Sequence, residues 1–108
     1  MPSLNKVMLI GHAGKDAEIR FTKTGKKVMS FSLATGTKDR TEWHEIASWD
    51  PPEWLEVNKG DLVFVEGKIQ YKTWENKEGQ KMTKAAVVGR VFNLEKKPAR
   101  EDNDNVPF

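Results

Sequence analysis

At 108 residues and 12.3 kDa, with no cysteine, the chain has room for one domain and one modest core, and disulfides, zinc-thiolate sites and thiol catalysis are excluded. No apolar run approaches the ~20 residues of a membrane span and MPSLNK does not read as a signal peptide, so a cytoplasmic protein with no membrane contact is expected. The net charge, 18 − 16 = +2, hides a split: Glu101, Asp102 and Asp104 lie in the last eight residues, leaving 18 bases against 16 − 3 = 13 acids, or +5, over residues 1–100. Leu4 to Ile10 is an apolar β-type run that ends at Gly11. Val28 to Thr35 alternates, with Met29, Phe31 and Leu33 on one face and Ser30 and Ser32 on the other. Thr41 to Trp49 alternates again, as does Leu62 to Trp74, and a fifth run spans Met82 to Leu94. Thr24-Gly25 and Asn76 to Gly79 are hairpin turn signals. One segment reads as a helix of about two turns: Asp50 caps it, Pro51 or Pro52 opens it, Glu53 fits a capping box, and Asn58 and Gly60 end it.

Five strands with one short helix between strands 3 and 4 match an all-β, five-stranded Greek-key barrel of the OB type. Periodicity alone fits an SH3-like barrel or a small sandwich as well. Residues 95–108 lose the strand pattern and gain Lys, Pro, Asp and Asn. They read as a disordered, flexible tail on a folded domain of residues 1–94.

The catalytic inventory is thin. His12 and His44 stand far apart, and Gly11-His12-Ala13-Gly14 lacks the Gly-Lys-Ser/Thr of a phosphate loop. No nucleophile–base pair can be named, so a binding protein without metal or cofactor is expected rather than an enzyme. His44 has the opposite parity to Trp43 and is expected to face the interior or a subunit contact.

The informative pattern is the sharing of strand faces by aromatic and basic residues. Trp43, Glu45, Ala47 and Trp49 have one parity, with Ile46 turned towards the core. In the fourth run Val63, Val65, Gly67 and Ile69 form the inward set, and Lys68, Gln70, Lys72 and Trp74 point outward. Two neighbouring strands are thus expected to present three indoles and two ammonium groups on one surface. Every unpaired base has a π-face, each stacked base is worth ~1–3 kcal/mol, and lysines alongside neutralise the phosphates. Arg20, Lys23, Lys26 and Lys27 around the first hairpin, and Lys77, Lys81 and Lys84 around the second, would lengthen such a groove. For any one lysine a solvated turn is the simpler explanation, and a single Trp is more often core. Three indoles in register with lysines reverse that preference. Trp54 is expected to pack its helix on the barrel.

The segments NKVMLIGHAGKDAEIRFT (5–22), GKKVMSFSLATG (25–36), RTEWHEIASW (40–49), KGDLVFVEGKIQYKTW (59–74) and DNVPF (104–108) resemble the bacterial-type single-stranded DNA-binding proteins. The resemblance implies an OB fold, usually a homotetramer, that binds single-stranded DNA without sequence preference, with stacking at Trp43, Trp49 and Trp74. It also implies that the acidic tip, here Asp102, Asp104, Pro107 and Phe108, docks onto replication, repair and recombination proteins. In the family the first strand helps to pair subunits, for which Leu4, Val7, Met8, Leu9 and Ile10 supply an apolar strand, and His44 matches an interface position, so Val7, Leu9 and His44 are singled out as candidate oligomer contacts. A dimer, as in the related primosomal replication protein N, fits the sequence almost as well. The chain departs from the family in a short Gly36–Arg40 connection, in His12, in Glu45 where a base is commoner, in Trp49 where phenylalanine is commoner, and in Pro51-Pro52. It also nearly lacks the linker before the tip. These departures imply a smaller footprint and a tip of short reach. An RNA-binding OB protein and a protein-interaction adaptor are the competing functions, because stacking does not report the 2′-hydroxyl.

Overall fold

The computed structural model describes residues 1–97, so the tip residues Asp102, Asp104, Pro107 and Phe108 lie outside the described residues. Six strands form: β1 (Val7–Ala13), β2 (Glu18–Phe21), β3 (Lys27–Gly36), β4 (Thr41–Trp49), β5 (Leu62–Glu75) and β6 (Lys81–Glu95). They make one sheet in the order β1-β5-β6-β4-β3-β2. A further pairing of β1 with β3, His12 opposite Ala34 and Ala13 opposite Leu33, returns the sheet to its first strand and closes the circuit. All pairings are antiparallel except β4 with β6.

Closure gives the five strands of the circuit, β1, β3, β4, β5 and β6, an inside. Phe31 and Leu33 of β3, Ile46 of β4, Val63 and Val65 of β5, and Val87 and Val91 of β6 fill it, as the two-residue alternation requires. Both expected turns form: Thr22 and Lys26 pair across one, and Asn76 and Gln80 across the other. The Asn76 side chain accepts the amides of Glu78 and Gln80 at 2.9 Å each, which sets the tip of the β5–β6 hairpin.

Three expectations are corrected. The first strand does not stop at Gly11: it begins at Val7 and runs on to Ala13, because Gly11 to Ala13 still have partners on β5 and β3. Asn5 ends the pairing before it, its side-chain amide bonding both the N–H and the carbonyl of Ile69 at 3.0 and 2.9 Å. A sixth strand, β2, was not expected. All four of its residues are exposed, so no apolar alternation marks it, and it exists because β3 offers an edge.

The helix after β4 is also absent, and Pro51 to Gly60 forms turns and extended chain. Asp50 has φ = 52°, a left-handed geometry that is not that of a helix cap. Leu55 and Val57 are buried on either side of exposed Glu56, a two-residue period. The Val57 carbonyl accepts the Ala17 amide at 2.9 Å instead of serving a helix. Two helical turns are too few to repay nucleation once these competing contacts exist.

Two local devices hold the body together. Gly67 of β5 lies opposite Gly89 of β6, so close that a Cβ on Gly67 would overlap the Val88 carbonyl oxygen and stand 2.7 Å from the Gly89 Cα. Asp61, 1% exposed, ties the approach to β5 to the end of β6. Its carboxylate accepts the Asn58 and Lys97 amides and Asn93 Nδ2, each at 2.9 Å, with Lys96 Nζ at 3.7 Å. Burial pushes this carboxyl up, but the hydrogen bonds from Lys97, Asn58 and Asn93 and the Lys96 charge outweigh it and hold the pKa below the ordinary 3.8.

Gly67→Ala is therefore expected to cost about 1–3 kcal/mol of stability, read as a lower urea midpoint with an unchanged m-value. Asp61→Asn should cost about 1–3 kcal/mol at neutral pH. Because the folded pKa is depressed, the wild-type advantage is complete above 3.8 and is lost as pH falls through the folded value. Urea midpoints of the two proteins that stay equally far apart at every pH would contradict this role.

Candidate nucleic-acid interface

In β4, Ile46 and Ser48 are buried while Trp43 and Trp49 are 61% and 50% exposed, so the indoles stand on the outward parity. Trp74 of β5 is 46% exposed. The two strands carrying them are not neighbours, as parity had suggested: β6 lies between them. β6 therefore adds its own outward residues. Met82 is opposite Trp74, Lys84 opposite Lys72, Ala86 opposite Gln70 and Val88 opposite Lys68. On the other side Val88 pairs with Ala47 of β4, which joins the sets into one three-stranded face.

Charge on this face is arranged for an anion. Lys72 and Lys84 are cross-strand partners, and like charges directly opposite each other are unfavourable until something neutralises them. Glu45 does so in part, its carboxylate 3.8 Å from Lys84 Nζ. Both side chains are about half exposed, so this ion pair is weak and displaceable. Beyond Ile69 and Ala86 almost every residue of the β5–β6 hairpin is exposed on both faces. The hairpin projects as a two-stranded ribbon, a form of marginal stability without a further contact.

The first hairpin contributes unevenly. Arg20 pairs with Val28, which pairs with Trp49, so Arg20 continues the outward face, 3.1 Å from Glu18. Lys23 and Lys26 lie in the exposed turn. Lys27 is opposite Phe21 and shares the parity of buried Met29, so it leaves the indole face. Lys77 and Lys81 stay on the exposed distal part of the ribbon.

Two candidate oligomer contacts move. Val7 and Leu9 pack against the core, while the outward residues of β1 are Met8 and Ile10, 61% and 57% exposed. Ile10 lies opposite Phe64, whose ring stacks on Phe92 with centroids 5.8 Å apart. His44 is half-buried, with Nε2 2.9 Å from the Thr35 hydroxyl. Trp54 is the largest departure: it does not pack on the body but is 78% exposed, because Leu55 and Val57 take the buried positions of its loop.

Sequence parity also overlooked three residues. Arg90 and Phe92 project outward from β6, the guanidinium carbon 5.9 Å from the Phe92 ring centroid; their parity opposite Val87 and Val91 was the available signal. Gly14 gave none. A Cβ there would overlap Trp43 Cζ3 and stand 2.9 Å from Cη2, so the bare glycine seats the indole. Among the described residues no group of three or more His, Cys, Asp or Glu side chains is placed to hold a metal ion, and no helix is long and apolar enough to cross a membrane.

Residues 4–95 match the model of the single-strand binding protein family. The chain belongs to that family. It is 43% identical over 98 residues to single-stranded DNA-binding protein 1 of Chlorobaculum tepidum, a match covering 79% of this chain and 60% of that protein. It is 39% identical over 107 residues to the single-stranded DNA-binding protein of Rickettsia felis, covering 84% and 69%. Among solved structures, the Plasmodium falciparum SSB in complex with single-stranded DNA superposes with a TM-score of 0.75 at 27% identity, over 88% of this chain and 98% of that one. The mitochondrial single-stranded DNA-binding protein of S. cerevisiae, at 21% identity and TM-score 0.71, covers 89% of this chain and 100% of its own, and shares the fold.

Gly14→Ala should displace the Trp43 ring without unfolding the protein. The expected readout is a shift in tryptophan emission and acrylamide quenching that disappears in a Trp43→Phe background. An emission spectrum unmoved by Gly14→Ala would refute the seat.

Proposed function

We propose that this protein is a sequence-independent single-stranded DNA-binding protein, built on an OB-type Greek-key barrel, that covers exposed strands. The observation that carries this reading is the exposure of Trp43, Trp49 and Trp74 on one face that also bears Lys68, Lys72 and Lys84. The indoles stack successive bases, and the lysines meet the phosphates between them. Arg20 and Lys26 lengthen the path at one end, and the projecting hairpin lengthens it at the other. DNA phosphate replaces Glu45 on Lys84 and relieves the Lys72–Lys84 opposition. The solved relative bound to single-stranded DNA supports the same reading.

Assembly with further copies of the chain belongs to this proposal, a tetramer being the family pattern. The outward apolar residues Met8, Ile10 and Phe64 supply a contact surface, in place of Val7 and Leu9. The acidic tip, Asp102, Asp104, Pro107 and Phe108, is the proposed dock for replication, repair and recombination proteins. A terminal aromatic ring with a carboxylate suits an apolar pocket with a basic rim, and the acids speed encounter.

Binding of oligo-dT should fall with salt at a log–log slope near −0.7 per phosphate neutralised. With ~5 phosphates engaged per protomer, moving from ~50 to ~200 mM salt weakens binding about 100-fold. Trp74→Ala should remove ~1–3 kcal/mol of binding per lost stack. Fluorescence titration at several salt concentrations measures both, and a salt-independent affinity or a silent Trp74→Ala would overturn the assignment. Competition with matched RNA oligonucleotides tests the DNA preference.

A further inference from the structure

The outward face of the sheet does not account for Trp54, the most exposed of the four tryptophans. With Trp49, Pro52, Arg90 and Phe92 it lines a cleft of about 280 Å³ between the loop after β4 and the outer side of β6. That volume falls below the range typical of drug-sized ligands and suits one flat ring system. We propose that the cleft takes one nucleobase of single-stranded DNA, with Trp54 as a fourth stacking partner. The inference rests on the DNA-binding reading above and extends its path past Trp49.

Continuity supports this occupant, because Trp49 belongs both to the three-indole face and to the cleft wall. The chemistry of the walls agrees: two indoles, a phenyl ring and proline offer flat apolar contact without demanding a particular base edge. Charge sets the route of the backbone. Asp50 lines the loop side of the cleft and Arg90 the strand side, and Glu53 precedes Trp54 in the loop. Phosphate is therefore excluded from the loop and directed over β6. There Arg90 is exposed, with its guanidinium carbon over the Phe92 ring and a 3.5 Å contact to Glu66, which Lys6 also approaches at 3.4 Å. Trp49, Trp54 and Phe92 are all exposed and line the one cleft, and a shared exposed apolar patch of this kind marks a binding surface, which a base covers.

The test uses the full chain. In the Trp43→Phe, Trp49→Phe, Trp74→Phe variant Trp54 is the sole indole, and its emission should be quenched by saturating oligo-dT. Trp54→Ala in the otherwise unaltered chain should weaken oligo-dT binding about 5- to 150-fold and shorten the occluded length. Arg90→Gln should reduce the salt slope by about 0.7, the share of one phosphate. If labelled oligo-dT binds the triple variant by anisotropy while Trp54 emission does not move, or if Trp54→Ala binds as the wild type does, the cleft is not a base site and the DNA-binding reading stands. If Trp54→Ala changes the oligomer mass in the absence of DNA, a second copy fills the cleft and the inference is overturned. If the unaltered chain does not bind oligo-dT, both readings fall together.

Discussion

The parallel pairing of β4 with β6, Ile46 opposite Val87 and Ala47 opposite Val88, is the join on which the candidate site depends. It brings the strand with two outward indoles beside the hairpin that carries the third. It also completes the circuit β1-β5-β6-β4-β3-β1, and closure turns one face of these strands to the core and the other to solvent, except along the distal β5–β6 ribbon. Without that join the indoles of β4 and the indole of β5 would stand on separate surfaces. The same join brings Arg90 and Phe92 next to Trp49, where neither chain proximity nor composition would place them.

The interior and the exterior divide the work. Val63, Val65, Ile46 and Leu33 are almost completely buried and supply the burial that stabilises the fold, each worth roughly 1.5–3 kcal/mol relative to exposure. The exterior is left polar, basic and aromatic, and is thereby free to bind. Glycine mediates between the two at particular points. Gly67 and Gly89 let β5 and β6 approach where side chains would collide, and Gly14 leaves the space in which Trp43 rests. Asp61 acts from inside, holding the end of β6 against the loop that leads into β5, so both ends of the long hairpin are anchored while its tip projects.

The loop from Asp50 to Asp61 shows how local signals can mislead. Asp50, the prolines and Glu53 resemble a helix start, and Asn58 and Gly60 resemble its end. The segment lies between two strands that must be joined across the body, and its buried residues, Leu55 and Val57, are two apart. Tertiary contacts at Ala17 and Asp16 capture backbone groups of Val57 and Lys59, so extended chain wins over helix. The consequence reaches the surface, because a tryptophan expected to pack inward stands in solvent instead.

The sequence by itself determined the strand faces, the turns, the basic body and the outward parity of Trp43, Trp49 and Trp74, because β alternation and turn chemistry act over two to four residues. It carried no mark of β2, whose residues are all exposed and whose existence is owed to an edge elsewhere in the fold. Only the tertiary structure decided that β6 divides the two indole strands, that Val7 and Leu9 turn to the core, that Gly14 lies under Trp43, and that Trp54 is bare. Each of these follows from contacts between residues distant along the chain, and no local period encodes which distant strand will be the neighbour.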